Sequence, residues 1–292
     1  MNIAFLGLGH MGAPIARNLL RTHPGMLVWN RSPDKARPLI EAGARAAPSP
    51  RAAAAECEVM ITMLADDAAL EQVLEGAEGA LASLAPGALH ISMSTISVAS
   101  AESLARRHAE RTQRFISAPV FGRPEAAEAA KLFVVAGGAA QDVESARPLL
   151  DVVGQRIFHV GEKASAANLV KLCGNFLILS AIEAMAEAMT LAQKGGVARQ
   201  QLLEVLTGTL FDSILYRGYG AALVQERFRP AGFAAPLGLK DMRQVGQAAE
   251  ALRVPMPLLS VLRDHLLQTI GLEGEDIDWS GIGRTIARNG GL

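Results

Sequence analysis

Asn2-Ile3-Ala4-Phe5-Leu6-Gly7-Leu8-Gly9-His10-Met11-Gly12, running on through Ala13 to Leu20 and then to Val28-Trp29-Asn30-Arg31-Ser32, is the stretch that decides the fold. Ile3 to Leu6 reads as a buried strand and Ala13 to Leu20 as the helix after it, so three glycines at G-x-G-x-x-G spacing lie between strand and helix. That context gives the spacing its meaning. Gly7 permits a tight turn, Gly9 lets backbone approach a pyrophosphate, and Gly12 lets the helix pack closely on the strand. The loop Gly7, Leu8, Gly9, His10, Met11 and Gly12 then presents helix-start amides to an anion, which the helix dipole favours.

The end of the next strand selects the dinucleotide. A carboxylate about twenty residues past the glycines bonds the ribose 2′-hydroxyl in NAD sites, whereas this chain has Asn30, Arg31 and Ser32 there. A carboxylate would repel a 2′-phosphate. Arg31 offers it a planar cation, with Asn30 and Ser32 as further hydrogen-bonding partners, so NADPH is expected in preference to NADH.

The chain has 292 residues, half of them hydrophobic, and a net charge of −1 from 28 basic and 29 acidic side chains. It can bury a full core and should form two domains. Without a basic excess or an aromatic-basic stripe, nucleic acid is not an expected partner. Cys57 and Cys173 sit in apolar contexts and read as free thiols in a reducing, cytoplasmic setting. The chain opens on a core strand with no basic leader, so no signal peptide is expected. Leu169 to Ala192 is the most apolar long segment, but it carries Lys171, Glu183 and Glu187, which argues for a buried helix and against a membrane span. His10, His23, His90, His108, His159 and His265 show no metal-ligand spacing.

Up to about residue 160 apolar strands alternate with helical stretches, the pattern of a parallel sheet covered on both faces. Strands are expected at Met26–Trp29, Val59–Met63, Leu89–Ser92, Arg114–Ile116, Leu132–Ala136 and Arg156–His159. Helices are expected at Pro33–Glu41, Asp66–Leu74, Val98–His108 and Gln141–Leu150, with Asp66 and Ser97 as N-caps. Beyond Gly161 the pattern is wholly helical, with breaks at Gly195-Gly196, around Tyr216 to Tyr219, at Pro230 to Pro236 and at Pro255 to Pro257. The expected division is therefore 1–162, an α/β dinucleotide-binding domain, and 163–292, an all-α domain that begins with a long helix. In that helix Asn168, Lys171 and Asn175 fall at i, i+3 and i+7, a polar stripe on an apolar element. Lys171 can lay its stem on the core with its ammonium in water. Facing a nicotinamide, the same ammonium can exchange a proton with a reacting oxygen.

These motifs together resemble the β-hydroxyacid dehydrogenase family, which includes 3-hydroxyisobutyrate dehydrogenases and glyoxylate/succinic semialdehyde reductases. Gly7 to Pro14 matches its opening fingerprint, and Met60 to Leu64 followed by Asp66 matches the strand whose end, at Leu64 and Ala65, passes the cofactor. Ser94-Thr95-Ile96-Ser97 matches a third cofactor segment through Thr95. Lys171 and Asn175 fall on the catalytic lysine and its companion asparagine, and Phe233 with Lys240-Asp241 on the C-terminal element of the site. The resemblance implies a Rossmann domain, a long connecting helix, a helical second domain and a site in the cleft between them. It also implies Lys171 as general acid/base with Asn175 orienting it, Lys240 on the cofactor, Phe233 and Asp241 shaping the substrate site, and pairing into a homodimer or higher homo-oligomer. From the residues alone, Asp241 could instead bridge to Arg243, and Phe233 could be core.

The chain departs from the family in the substrate loop. Ser117-Ala118-Pro119-Val120-Phe121-Gly122-Arg123-Pro124 stands where the family usually has aspartate, a small residue and Pro-Val-Ser-Gly-Gly. Phe121 replaces the serine that would hold a substrate carboxylate, Gly122 keeps an amide that can donate, and Arg123 can grip a carboxylate or point to solvent. The expected activity is NADPH-dependent interconversion of a small aldehyde or keto acid and its hydroxy acid. The alternatives are an imine reductase or reductive aminase, against which the retained Lys171 counts, and a cofactor-binding sensor or scaffold without turnover.

Overall fold

The computed structural model describes all of residues 1–292, and the chain divides into two compact units, Met1–Lys171 and Leu172–Leu292. In chain order the first unit holds β1 (Ile3–Leu6), α1 (Gly12–Thr22), β2 (Leu27–Trp29), α2 (Arg37–Glu41), β3 (Arg45–Ala46), α3 (Pro50–Ala55), β4 (Val59–Thr62), α4 (Asp67–Leu74), β5 (Leu89–Ser92), α5 (Val98–Ala109), β6 (Arg114–Ser117), β7 (Val120–Phe121), α6 (Pro124–Glu128), β8 (Leu132–Ala136), α7 (Ala140–Val153), β9 (Gly154–His159) and the first turns of α8 (Ala164–Lys194).

Six strands make a wholly parallel sheet in the order β3-β2-β1-β4-β5-β6. Its residues alternate between two cores. Ile3, Phe5, Val28, Ile61 and Ile91 enter one with α1, α6 and α7, whereas Ala4, Leu6, Leu27 and Met60 enter the other with α3, α4 and α5. Burial on both faces explains why these strands read as continuous apolar runs. Asp66 and Ser97 cap α4 and α5 through bonds from the Ala69 and Ser100 amides, as the sequence indicated.

The last strands depart from the expected single sheet. β7, β8 and β9 form a separate three-stranded sheet, β7 antiparallel and β9 parallel to β8. The short Ser117–Phe121 stretch carries the chain from one sheet to the other, and a single bridge between Ser117 and Gly137 ties them. Pro33–Glu41 also opens as a 3₁₀ turn over Pro33–Ala36 before becoming α2.

The first unit ends later than residue 162 because α8 is seated on it. A Cβ at Gly137 would lie 2.8 Å from the Lys163 carbonyl and 2.9 Å from that of Ala164, so the loop after β8 touches the backbone where the helix starts. The second unit continues α8 and adds α9 (Arg199–Thr207), α10 (Ile214–Val224), α11 (Ala235–Leu252), α12 (Pro257–Glu273) and α13 (Ile282–Asn289), with no strand. The break expected around Tyr216 to Tyr219 is instead the interior of α10. Its Gly220 is a packing residue: an added Cβ there would meet Leu203 of α9 at 2.4 Å. Helix α8 is long and apolar enough by composition to cross a bilayer, and 39% of its most apolar window is buried.

Candidate active site

In the first unit the glycine loop has the stereochemistry its sequence requires. Gly7 has φ +101, and a Cβ there would lie 2.3 Å from the Met63 carbonyl; at Gly12 it would lie 1.9 Å from the Gly7 carbonyl. No other residue fits either position. Around Gly9 nothing lies within 4 Å of an added Cβ, so the backbone there faces open space. The N-terminus of α1 beside it has no side-chain cap and no acidic residue in its first turn. An open glycine next to an uncapped eleven-residue helix start fits a pyrophosphate.

Neighbouring side chains hold this loop. The Leu8 amide donates to Asn30 Oδ1 at 2.9 Å, and Asn30 Nδ2 donates to the Ser32 carbonyl at 3.0 Å. Both ends of that amide are used within the chain, fixing the loop against the turn that carries Arg31. Arg31 and Ser32 are exposed. The nearest downstream carboxylate, Asp34, pairs with Arg37 at 3.1 Å. On the other side the Leu64 amide donates to Ser94 Oγ at 2.9 Å, and the Ser97 amide to Asp67 Oδ1 at 2.9 Å, which joins the loop after β4 to the segment containing Thr95. Ala65 and His10 are exposed on this rim, and Met11 is half-buried.

Behind that rim lies a buried polar chain that sequence reasoning missed. Gln113 Nε2 donates to the Leu81 and Leu84 carbonyls, so its Oε1 must accept from His108 Nδ1, at 2.8 Å. His108 Nε2 then accepts from His90 Nδ1, and His90 Nε2 accepts from Thr62 Oγ1, both at 2.9 Å. With both rings kept neutral by burial, these bonds select one tautomer of each. Burial lowers the pKa of His90 well below its ordinary value, with His108 adding to the effect, and burial lowers His108 to about 4, helped by Arg107 and Arg111 against a bond to Gln113 that raises it. Separations of 18 and 28 residues between the partners leave no local signal in the sequence.

Lys171 is 9% exposed, and its Nζ lies over the Phe121 ring, 4.2 Å from the centroid. Gly122 follows with φ +141, where a Cβ would meet Leu132 Cδ2 at 2.6 Å, and Arg123 is exposed. Asn168, one turn before Lys171, is fully buried and neither end of its amide has a hydrogen-bond partner. The stripe read from the sequence is therefore buried, and it is polar in an apolar setting.

In the second unit Asn175 Nδ2 donates to Asp241 Oδ2 at 2.5 Å, and Lys240 Nζ pairs with Asp241 Oδ1 at 2.7 Å. Asp241 is completely buried and partners Lys240, where the residues alone had left Arg243 open. Its carboxylate turns the Asn175 amide so that Oδ1 is the accepting end. Phe233 is half-buried with its ring edge-on to Trp279 at 4.7 Å. Its amide and that of Gly232 donate to Asp278 Oδ2 at 2.9 and 3.0 Å, while Trp279 Nε1 donates to Tyr219 Oη at 3.0 Å. Asp278 thus positions Phe233 across 45 residues. Its only signal in the sequence was an aspartate ahead of a short turn, which it caps.

The parallel sheet, the glycine loop and the open helix start define a Rossmann-type dinucleotide-binding protein. Residues 2–161 match the NAD binding domain of 6-phosphogluconate dehydrogenase, and residues 165–286 match the NAD-binding domain of NADP-dependent 3-hydroxyisobutyrate dehydrogenase. The chain belongs to the β-hydroxyacid dehydrogenase family, a family of NAD(P)-dependent oxidoreductases. It is 43% identical to the uncharacterized oxidoreductase YfjR of Bacillus subtilis over 97% of this chain and 98% of that one. It is 30% identical to glyoxylate/succinic semialdehyde reductase 1 of Arabidopsis thaliana over 97% of each. The solved structure of Mycobacterium tuberculosis 3-hydroxyisobutyrate dehydrogenase superposes with a TM-score of 0.88 at 30% identity, covering 98% of both chains.

Proposed function

We propose that the protein is an NADPH-dependent reductase that interconverts a small aldehyde or keto acid and the corresponding hydroxy compound, with Lys171 as general acid/base. The observation that carries this reading is Lys171 itself, an ammonium 9% exposed on an apolar helix of a dinucleotide-binding protein. An ammonium held at a fixed place on such a protein can give a proton to a reacting carbonyl oxygen. Bound NADPH supplies the hydride. Gly7, Leu8, Gly9, His10, Met11 and Gly12 hold its pyrophosphate on backbone amides, with Leu64, Ala65 and Thr95 along its path and Lys240 as a further contact.

Arg31 takes the 2′-phosphate. Its exposure at the end of β2, with Asp34 occupied by Arg37, leaves the guanidinium beside the loop without a competing carboxylate at positions 30 to 32. Asn30 serves by holding loop and turn together. Asn175, its amide turned by Asp241, keeps an accepting oxygen on the helix that carries Lys171. Lys171 donates its proton to the oxygen in reduction and takes one back in oxidation.

The test is consumption of NADPH and NADH with a panel of semialdehydes, glyoxylate, bulkier keto acids, simple aldehydes and a cyclic imine, using the parent protein beside Lys171→Ala. Carbonyl-dependent NADPH consumption that drops by at least about 100-fold in the variant supports the reading. Turnover of the imine alone, or turnover indifferent to Lys171, overturns it.

A further inference from the structure

We propose that Phe121 is the positioning and specificity-determining residue of this site: its ring seats the Lys171 ammonium and, within the proposed carbonyl class, selects aldehydes whose nearest substituent is uncharged and apolar over 2-keto acids, whose carboxylate adjoins the carbonyl. The proposal rests on the reading of Lys171 as the acid/base group.

The seat is built into the fold. In β7, Val120 is buried in the core and pairs with Val134, while Phe121 pairs with Phe133. Alternation along a strand turns Phe121 to the opposite side from Val120, and there its ring meets Lys171 Nζ at 4.2 Å. The next residue must be glycine, since at φ +141 a Cβ would run into Leu132 and Ala126. The backbone carrying the ring is thus held from both sides, by the β7–β8 pairing and by the Gly122 turn.

The consequence for Lys171 is electrostatic. An ammonium that has lost most of its water is attracted to the negative face of an aromatic ring. The ring favours the protonated form and fixes where the proton is presented. The consequence for the substrate is opposite in sign for an anion. A carboxylate set against the same surface would lose hydration, meet the negative face of the ring and find no donor in the phenyl side chain. An alkyl or aryl substituent gains from the same contact by burying apolar surface.

The experiment uses the full chain with Phe121→Leu, Phe121→Tyr and Phe121→Ser. NADPH titration by nucleotide fluorescence, run alongside, reports that each variant is folded. Three readouts follow. With ¹⁵N-lysine labelling and Lys171→Met to assign the signal, the Nζ resonance should titrate roughly half to one pH unit lower in Phe121→Leu than in the parent and return to the parent value in Phe121→Tyr. Binding of isobutyramide against isobutyrate to the NADPH complex should favour the amide by about 10-fold or more in the parent, and that preference should collapse in Phe121→Ser while surviving in Phe121→Leu. The ratio of kcat/KM for propanal over glyoxylate, whose carbonyl carries the carboxylate directly, should follow the same order. Equal Lys171 titration in the parent and Phe121→Leu, or a parent that binds isobutyrate as well as the amide with no response to Phe121→Ser, overturns the proposal. If the titration and binding patterns hold and no carbonyl compound is reduced, the seat and its selectivity stand and the reductase reading falls.

Discussion

Acid should weaken the first unit through the His90–His108 chain. Both rings are neutral in the folded protein, where His108 gives its Nδ1 proton to Gln113 and takes one from His90, which takes one from Thr62. Protonating either ring places a charge in a fully buried site with no carboxylate bonded to it, where desolvation disfavours it. Burial accordingly lowers His108 to about 4 and holds His90 well below its ordinary value. The unfolded chain, with histidine at its ordinary value near 6.5, binds more protons than the folded one, so stability is complete above about pH 7.5 and falls as pH drops through 6.5. With values of about 4 and 6.5, His108 alone accounts for about 2 kcal/mol lost at pH 5 and about 3 kcal/mol below pH 4. The two tryptophans separate the units, Trp29 lying in the first and Trp279 in the second. Urea unfolding of Trp279→Phe followed by Trp29 fluorescence therefore reports the first unit. Between pH 7.5 and 5 its unfolding free energy should fall by at least about 2 kcal/mol, and by about 2 kcal/mol less in a His90→Asn/His108→Asn background. A flat profile, or the same fall in both backgrounds, refutes the argument.

Asp241→Ala removes the partner of both Asn175 and Lys240 from a fully buried site and should cost the second unit about 3–5 kcal/mol, read from Trp279 fluorescence in urea. Asp241→Asn, which still accepts from Asn175, should cost clearly less. Arg31→Glu should weaken NADPH binding roughly 10- to 150-fold with little change for NADH, measured by fluorescence titration; parallel loss for both would exclude a role at the 2′-phosphate. In the second unit Leu210 and Ile214 are 93% and 85% exposed, and Leu177 and Leu191 also face outward. We expect this surface to pair with a second copy of the chain. Light scattering should give at least a dimer mass, lowered by Leu210→Glu/Ile214→Glu, and a monomeric parent would refute the pairing.

Much of the first unit was legible because its physics is local. A parallel strand buried on both faces must be apolar throughout, a tight turn and a close helix–strand approach admit only glycine, and a helix start attracts Asp66 or Ser97. The same locality misled at α10, where a break was expected around Tyr216 to Tyr219, a stretch that holds Gly218 and is followed by Gly220. A glycine is equally the mark of close helix packing, and only the position of Leu203 shows which reason applies. The stripe of Asn168, Lys171 and Asn175 was visible from helical spacing alone. Its burial, and the partners that Lys171 and Asn175 find, were not.

The sequence by itself determined the dinucleotide loop, the alternation of the longer strands and helices, the absence of a carboxylate at positions 30 to 32 and the polar stripe of α8, since each depends on neighbours within a few residues. Tertiary structure alone decided that β7, β8 and β9 leave the main sheet, that Asn30 reaches back 22 residues to hold Leu8, and that His90 and His108 share a proton chain. It also decided that Asp241 holds Asn175 across 66 residues and that the Phe121 ring lies on the Lys171 ammonium. Such contacts join residues far apart in the chain, and their energies come from burial and geometry that no short stretch of sequence contains.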